Sequence, residues 1–297
     1  MQRWTRRSFL AFAAGAMSAR LARPVMAIDP IARPGPAKLK LSLAAYSFRS
    51  YLSGDHRRWS LEEFIEFCAT QQLDGTELTS YYFPPQITDT YLNHLKQKAF
   101  LLGLDISGTA VRNNFCLPPG AARERELAHV KRWVDYAAKL GAPVIRIFSG
   151  GVPRGHTLQE ARDWCVETIE EACRYAGSKG VFLALENHGG ISTTADDLLA
   201  IVRRVRSSWF GVNLDTGNFR SPDPYRDIER VAPYAINVQV KVEIQPVGSA
   251  RQPADLGRII GILKKAGYRG YVVLEYEARE DPLTAVPRYL DTLRKLL

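Results

Sequence analysis

The sequence predicts an α/β protein that folds as a single (β/α)₈ barrel. Three observations support this fold class: an apolar strand, a polar loop and an amphipathic helix recur from residue 39 onward; glycines stand at the helix-to-strand joints; and two helices begin with capping-box spacing. Strands that alternate with helices form a parallel sheet. Eight repeats of about 32 residues match the usual size of a closed barrel with one core.

The eight predicted strands lie at regular intervals along the chain. They cover residues 39–46, 74–79, 105–110, 144–149, 181–186, 210–215, 235–241 and 271–276. Glycine ends the preceding helix in LLGLDISG, KLGAPVIRI, SKGVFLAL and KAGYRGYVVLE, as expected at a helix C-terminus. A doubly wound sheet is the alternative, but its glycine-rich phosphate loop is replaced here by the aromatic segment LAAYSFRSYLSGD. We expect no second domain.

Two of the predicted helices begin with recognisable N-terminal capping motifs. Ser60 with Glu63, and Thr157 with Glu160, have the spacing of a capping box, in which each side chain satisfies the other residue's backbone N–H. The apolar residues that follow recur at helical spacing. These segments therefore predict amphipathic helices that cover the outside of the barrel.

The N-terminal segment resembles a twin-arginine (Tat) export signal. Arg6 and Arg7 precede a mildly apolar, alanine-rich stretch, and VMA at positions 25–27 suits cleavage. The alternative is a chance arginine pair before an ordinary amphipathic helix. The sequence favours the signal because its charge, apolar stretch and cleavage site occur in the right order.

Three segments follow from these observations. We expect a Tat-type signal peptide over residues 1–27, a proline-rich linker with little to pack over 28–38, and the barrel over 39–297. The predicted location is periplasmic or otherwise exported, with the Tat machinery as a partner. No stretch outside the signal approaches 18 apolar residues, so no stable membrane insertion of the mature protein is expected.

Charge and cysteine usage exclude several classes of protein. The net charge is +9, but five arginines of the signal segment contribute most of it, and no dense basic stripe predicts a nucleic-acid partner. The four cysteines form no C-x-x-C motif. Cys165 and Cys173 lie roughly 12 Å apart on one predicted helix, too far for a disulfide. Buried free thiols are expected.

Carboxylates end three of the last four predicted strands: Glu186, Asp215 and Glu275. Chemistry in such barrels gathers at the C-terminal strand ends, where buried acids are costly unless paired or bound to a metal. Three converging carboxylates predict a divalent cation, with Mn²⁺ or Mg²⁺ favoured by oxygen ligands. For each acid alone, the alternative is a salt bridge with a basic residue of a neighbouring strand: Arg112, Arg146 or Lys241.

The motifs LENHGG, LDTGN and LEYE at these strand ends resemble the xylose isomerase-like TIM barrel superfamily over residues 39–297. That superfamily includes sugar phosphate isomerases and epimerases, ketose 3-epimerases, inosose dehydratases and AP endonuclease family 2. The resemblance implies a metal held by Glu186, Asp215, position 239 and Glu275. Strand 7 of the family usually reads His-x-Lys-Asp, whereas this chain reads Gln239-Val-Lys241-Val, so Lys241 matches the lysine of the family pattern and Gln239 stands in place of its histidine. A glutamine oxygen suits Mn²⁺ or Mg²⁺ better than zinc.

The resemblance also implies roles for the other residues at the barrel mouth. A metal-bound sugar would lose a proton next to its carbonyl, with Glu186 and Glu275 exchanging the proton and Lys241 neutralising the enediolate. The candidate sugar-binding residues are His188, Asn218, Arg112 and Glu277, and the candidate apolar wall is Tyr46, Phe48, Tyr82 and Phe148. Strand alternation points His188 towards the mouth. The alternatives are a backbone-bonded loop histidine and ordinary core packing of the aromatic residues.

The predicted function is a metal-dependent isomerase or epimerase of a sugar or keto-sugar, with a small carbohydrate as substrate. A lyase or dehydratase acting on a keto-glycoside or inositol derivative is an alternative, as is a non-catalytic carbohydrate-binding barrel. A phosphodiesterase or nuclease with a trinuclear zinc site is not expected, because His188 alone of the five histidines lies at a predicted strand end. A homo-oligomer is compatible with the sequence.

Overall fold

Eight parallel strands close into one barrel, as the sequence predicts. A computed structural model describes residues 28–54 and 57–297. The strands are β1 Lys38–Ala44, β2 Gly75–Thr79, β3 Asp105–Ala110, β4 Val144–Ile147, β5 Phe182–Glu186, β6 Phe210–Asp215, β7 Ala235–Val240 and β8 Arg269–Leu274. Each strand pairs with its neighbours in the chain, and β8 pairs with β1 to close the barrel.

Eight longer helices of the described residues surround the strands. They are α1 Leu61–Thr70, α2 Asp89–Leu101, α3 Ala121–Leu140, α4 Leu158–Ser178, α5 Ala195–Val202, α6 Pro224–Val231, α7 Leu256–Lys265 and α8 Pro282–Leu296. Both predicted capping boxes are present, at Ser60 and at Thr157. The helices bury their apolar faces against the strands, and the strands therefore hold the loops at the barrel mouth in fixed positions.

Several strand boundaries differ from the prediction, and β4 shows the physical reason. The predicted strand runs to Ser149, but β4 ends at Ile147. The side chain of Asn113 bonds to both backbone groups of Phe148, accepting from its N–H at 2.8 Å and donating to its carbonyl oxygen at 2.8 Å. A side chain thus replaces the next rung of the strand ladder and turns Phe148 towards the barrel mouth.

The segment before β1 packs more than the linker prediction implies. Ile31 donates its backbone N–H to the carbonyl of Pro233 at 2.9 Å. The guanidinium of Arg33 donates to the carbonyl of Ala235 at 2.5 Å and lies 5.3 Å from the centre of the Tyr268 ring. Residues 28–37 therefore lie against the N-terminal face of the barrel. The predicted signal over residues 1–27 lies outside the described residues.

Two further expectations concern the cysteines and the membrane. All four cysteines are buried and free, which confirms the prediction of buried thiols. No helix in the described ranges combines the length and the apolar character needed to cross a membrane.

Candidate active site

A polar cavity of about 330 Å³ opens at the C-terminal ends of the strands. Nine of the thirteen residues predicted for the site line it, together with Tyr81 and Arg146. The nine are Tyr46, Arg112, Phe148, Glu186, His188, Asn218, Lys241, Glu275 and Glu277. Asp215 and Gln239, both predicted as metal ligands, do not line the cavity.

Lys241 lies at the centre of the carboxylates. Its Nζ donates to Glu275 Oε2 at 2.5 Å and to Glu277 Oε2 at 2.7 Å, and it lies 3.3 Å from Asp215 Oδ2. Burial opposes the charge, but the three carboxylates outweigh it and hold the pKa of Lys241 well above its ordinary value. The side chain is therefore a buried ammonium that neutralises part of the acidic cluster.

Glu186, at the end of β5, is paired on both oxygens. Oε1 accepts from Asn218 Nδ2 at 2.9 Å, and Oε2 lies 2.9 Å from Arg146 Nε in an ion contact without hydrogen-bond geometry. Burial raises the pKa of Glu186 to about 7, with Arg146 opposing the rise and Glu275 adding to it. A carboxyl group with this pKa can both accept and give back a proton near neutral pH.

Arg146 is held in place from three sides. Its Nη1 donates to the carbonyl of Val111 at 2.7 Å, and its guanidinium carbon lies 4.0 Å from the centre of the Phe148 ring. Burial lowers its pKa, but Glu186, Tyr81 and Glu275 raise it by more. The sequence offered Arg146 as a salt-bridge alternative, and the structure places it against Glu186 at the cavity wall.

Asp215, at the end of β6, is fully buried. Its Oδ1 accepts from the N–H of Gly217 at 2.8 Å, whereas Oδ2 has no hydrogen-bond partner among the described residues. Burial raises the pKa of Asp215 well above its ordinary range, despite the opposing charge of Lys241. The backbone of Asp215 is fixed by Asn187, whose side chain donates to its carbonyl at 2.8 Å and accepts from its N–H at 2.9 Å.

Gln239 faces the barrel interior instead of the cavity. Its Nε2 donates to Glu77 Oε1 at 2.6 Å, and its Oε1 accepts from Asn213 Nδ2 at 2.6 Å. Asn237 Nδ2 completes the connections, at 2.9 Å from Glu77 Oε2 and 2.8 Å from Asn213 Oδ1. We call Glu77, Asn213, Asn237 and Gln239 the interior network. Burial, reinforced by Glu275, raises the pKa of Glu77 to about 7.

His188 lines the cavity beside Phe148, with their ring centres 4.2 Å apart. Burial and the charge of Arg146 lower its pKa, so the ring is neutral at pH 7. The next residues, Gly189 and Gly190, have φ of 57° and 55°. A Cβ on Gly190 would lie 2.0 Å from the carbonyl oxygen of Gly150. Glycine therefore lets the loop after β5 pass directly over the loop after β4.

The predicted aromatic wall divides into two groups. Tyr46 and Phe148 line the cavity, and Tyr81 joins them by an edge-to-face contact with Tyr46 at 6.3 Å between ring centres. Phe48 is instead stacked on Trp59 at 4.7 Å and is fully buried, and Tyr82 is 3% exposed. For Phe48, core packing is the correct interpretation and the prediction of a sugar-facing wall is wrong, whereas Tyr82 lies outside the 330 Å³ cavity but lines a neighbouring cavity with Tyr46 and Arg112.

These contacts do not fit the predicted Mn²⁺ or Mg²⁺ site. Gln239 commits its amide oxygen to Asn213, and Lys241 holds a positive charge among Asp215, Glu275 and Glu277. Glu186 is paired with Arg146 and Asn218. Across residues 28–54 and 57–297, no three or more His, Cys, Asp or Glu side chains are grouped to hold a metal ion. The unbonded Asp215 Oδ2 favours a cation, and it already lies 3.3 Å from the Lys241 ammonium.

Sequence reasoning missed the residues that position the site. Asn187, Asn213 and Asn237 lie on or beside strands whose apolar pattern drew attention to the terminal acids instead. Period-2 alternation was the available signal: Asn213 shares a face with Asp215, and Asn237 shares a face with Gln239. The register confirms the grouping, because Asn213 pairs with Asn237 and Asp215 pairs with Gln239.

Replacing Asn187 tests how Asp215 is positioned. Asn187→Ala leaves the buried N–H and carbonyl of Asp215 without their side-chain partner, so we expect the free energy of unfolding to fall by about 2–4 kcal/mol. Urea unfolding measures this loss. Asn93→Ala, at an exposed position of α2, is the matched control and should change the stability little. Equal losses in the two variants would contradict the assigned role of Asn187.

Comparison with known proteins places this barrel in a family. The family model described as "Xylose isomerase-like TIM barrel" matches residues 63–296. Among solved structures, D-psicose 3-epimerase from Clostridium cellulolyticum H10 is 20% identical, with a TM-score of 0.68 and coverage of 86% of this chain and 91% of that one. The 3-keto-D-glucoside 4-epimerase of E. coli is 15% identical, with a TM-score of 0.68 and coverage of 87% and 99%.

A third solved structure agrees with these two. The xylose isomerase domain protein from Planctomyces limnophilus is 17% identical, with a TM-score of 0.66 and coverage of 89% of this chain and 98% of that one. These structural likenesses concern the fold, and the family model spans most of the chain. The chain therefore belongs to the xylose isomerase-like TIM barrel family.

Proposed function

We propose that the protein is an isomerase or epimerase that moves a proton at a carbon next to the carbonyl of a sugar or keto-sugar. The observation that carries this proposal is the pair Glu186 and Glu275, which line one small cavity together with the cations Lys241 and Arg146. The names of two similar structures, a psicose 3-epimerase and a keto-glucoside 4-epimerase, support the same class of reaction.

The first step of the proposed reaction is removal of the proton. One of the two glutamates accepts it, the C–H bond breaks, and the electron pair moves onto the carbonyl oxygen to give an enediolate. The pKa of Glu186, raised to about 7 by burial, suits this role near neutral pH. The other glutamate, protonated at the outset, then gives its proton to the opposite face of the same carbon and completes epimerisation. For isomerisation, a proton instead goes to the former carbonyl carbon, while the hydroxyl proton of the adjacent carbon moves to the enediolate oxygen.

The negative charge that develops on the oxygen requires stabilisation. The Lys241 ammonium and the Arg146 guanidinium lie at the cavity wall and are both fixed by protein contacts before substrate arrives. Preorganised cations stabilise such an oxyanion without reorganisation during the reaction. The predicted metal takes no part in these steps, because the residues around Lys241 do not fit it.

The remaining residues suit a hydroxylated ligand. Asn218, Glu277 and Arg112 offer donors and acceptors to sugar hydroxyls, and the neutral ring of His188 offers one of each. Tyr46 and Phe148 offer apolar faces to the sugar ring. The cavity volume of about 330 Å³ suits one small carbohydrate.

Solvent deuterium exchange tests the proposed reaction directly. We expect the protein, incubated in D₂O with the ketohexoses and the 3-keto-glucoside named for its structural relatives, to place deuterium beside the carbonyl of at least one. Glu186→Gln and Glu275→Gln should each reduce the exchange rate about 10²–10⁴-fold, the usual contribution of a positioned acid or base. Mass spectrometry measures the label.

The control for this experiment is Glu124→Gln, at an exposed position of α3, which should exchange at the wild-type rate. Exchange followed by loss of a β-substituent would assign the chain to the lyases. Binding of a sugar with no exchange in any of them would contradict the proposal and favour a carbohydrate-binding barrel.

We further propose that the protein is exported by the Tat machinery, on the strength of the sequence of residues 1–27. Replacing both signal arginines, Arg6→Lys with Arg7→Lys, should retain the protein in the cytoplasm, because the paired guanidiniums are the feature that the signal supplies. Cell fractionation measures the distribution. Arg20→Lys is the control. Unchanged export of the double variant would contradict the proposal.

A further inference from the structure

We propose that Lys241 replaces the divalent cation in this barrel, so that the carboxylates at its mouth work with an internal ammonium and without a bound metal. The inference rests on the proposed function for its chemistry, but its test does not depend on activity. It departs from the metal site that the sequence motifs predict.

The first step is the position of the ammonium. Lys241 Nζ contacts three carboxylates at two strand ends: Asp215, the last residue of β6, and Glu275 and Glu277, which follow β8. Two of these are acids that the sequence assigns to a metal. Only 9% of the lysine side chain is exposed, so the charge is shared with protein groups instead of with water. A divalent ion placed between Asp215 and Glu275 would meet this ammonium at close range, and the two positive charges would repel.

The second step is that backbone and stem contacts of Lys241 fix the position of its side chain. Its backbone N–H donates to Thr216 Oγ1 at 2.9 Å. Its stem passes over Gly217 so closely that a Cβ there would lie 2.6 Å from Lys241 Cγ. Glycine at 217 therefore gives the lysine stem its path between the loop after β6 and the end of β7. These contacts fix the direction of the side chain before it reaches the acids.

The third step is that the other expected ligands are already engaged. Glu186, the third acid that the sequence assigns to a metal, faces Arg146. The guanidinium of Arg146 is therefore a second fixed cation, and it neutralises Glu186. Gln239 would have to break its bonds to Asn213 and Glu77 before its oxygen could reach a metal. If Gln239 turned towards a metal, the buried donor of Asn213 and the buried acceptor of Glu77 would be left without hydrogen-bond partners, which costs free energy.

The fourth step is chemical. The ammonium carries one charge and three donors, and it is positioned beside Glu275, one of the two proposed proton carriers. It can hold the oxygen on which charge develops while a glutamate takes the adjacent carbon-bound proton. No oxidant or reductant is needed, because one C–H bond breaks and another forms. Lys241 thereby supplies the electrostatic stabilisation that a Lewis-acid metal supplies in other enzymes.

The test is titration of Mn²⁺ into EDTA-treated full-length protein, followed by the electron paramagnetic resonance signal of free Mn²⁺. Wild type should leave the added Mn²⁺ free. Lys241→Met with Gln239→His removes the ammonium and restores an imidazole, and this double variant should bind one Mn²⁺ per chain at least about 100-fold more tightly. Lys265→Met with Gln239→His, which changes an exposed lysine instead, should remain without the site.

One wild-type result would overturn the inference whether or not the variants fold: binding of one Mn²⁺ per chain that is lost in Glu275→Gln. The deuterium assay separates this failure from a failure of the proposed function. Exchange that persists in EDTA supports the ammonium, and exchange that requires added Mn²⁺ overturns it while leaving the isomerase intact. No exchange, with wild type still leaving Mn²⁺ free, rejects the isomerase and supports the replacement of the metal.

Discussion

The charge balance around the Lys241 ammonium is the constraint on which the rest of the site depends. Three carboxylates lie within 3.3 Å of Nζ, and most of their surface is removed from water. Removing one partner from a buried ion pair typically costs about 3–5 kcal/mol, because the remaining charge stays buried and unpaired. The acids at the barrel mouth therefore need the lysine, and the lysine needs them to remain charged.

Hydrogen bonds to the surrounding backbone fix the positions of Asp215 and Lys241 in this cluster. Asn187 bonds to both backbone groups of Asp215, and Asp215 in turn accepts from the N–H of Gly217. Thr216 then receives the N–H of Lys241. The ends of β5, β6 and β7 are thus connected by side-chain-to-backbone bonds beyond the point where the strand ladder stops. Beneath them, the interior network satisfies the buried amides and Glu77, which would otherwise be costly in the centre of a barrel.

Much of the fold was predictable because its signals are local. Strand periodicity, helix-ending glycines and the capping boxes at Ser60 and Thr157 each involve a few neighbouring residues, and the barrel they predict is the one observed. Placing Glu186, Glu275 and Lys241 at the mouth followed from the rule that barrel loops gather there. The end of β4 was not predictable, because the distant side chain of Asn113 takes over the bonding of Phe148.

The site's chemistry was harder to predict because it depends on pairings between distant strands. Whether Gln239 faces a metal or the interior is decided by Asn213 and by Glu77, which is 162 residues away in the chain. Likewise, no local pattern distinguishes a lysine that neutralises a bound intermediate from one that occupies the centre of the cluster. The family motif was informative about which residues meet, whereas what holds them together depends on these distant pairings.

The most direct test of this account is a crystal structure of the protein grown in the presence of Mn²⁺, with diffraction collected at the manganese absorption edge. The account predicts no anomalous peak among Asp215, Glu275 and Glu186, and continuous density for Lys241 reaching Glu275. An anomalous peak between Asp215 and Glu275, with the lysine displaced towards solvent, would contradict it.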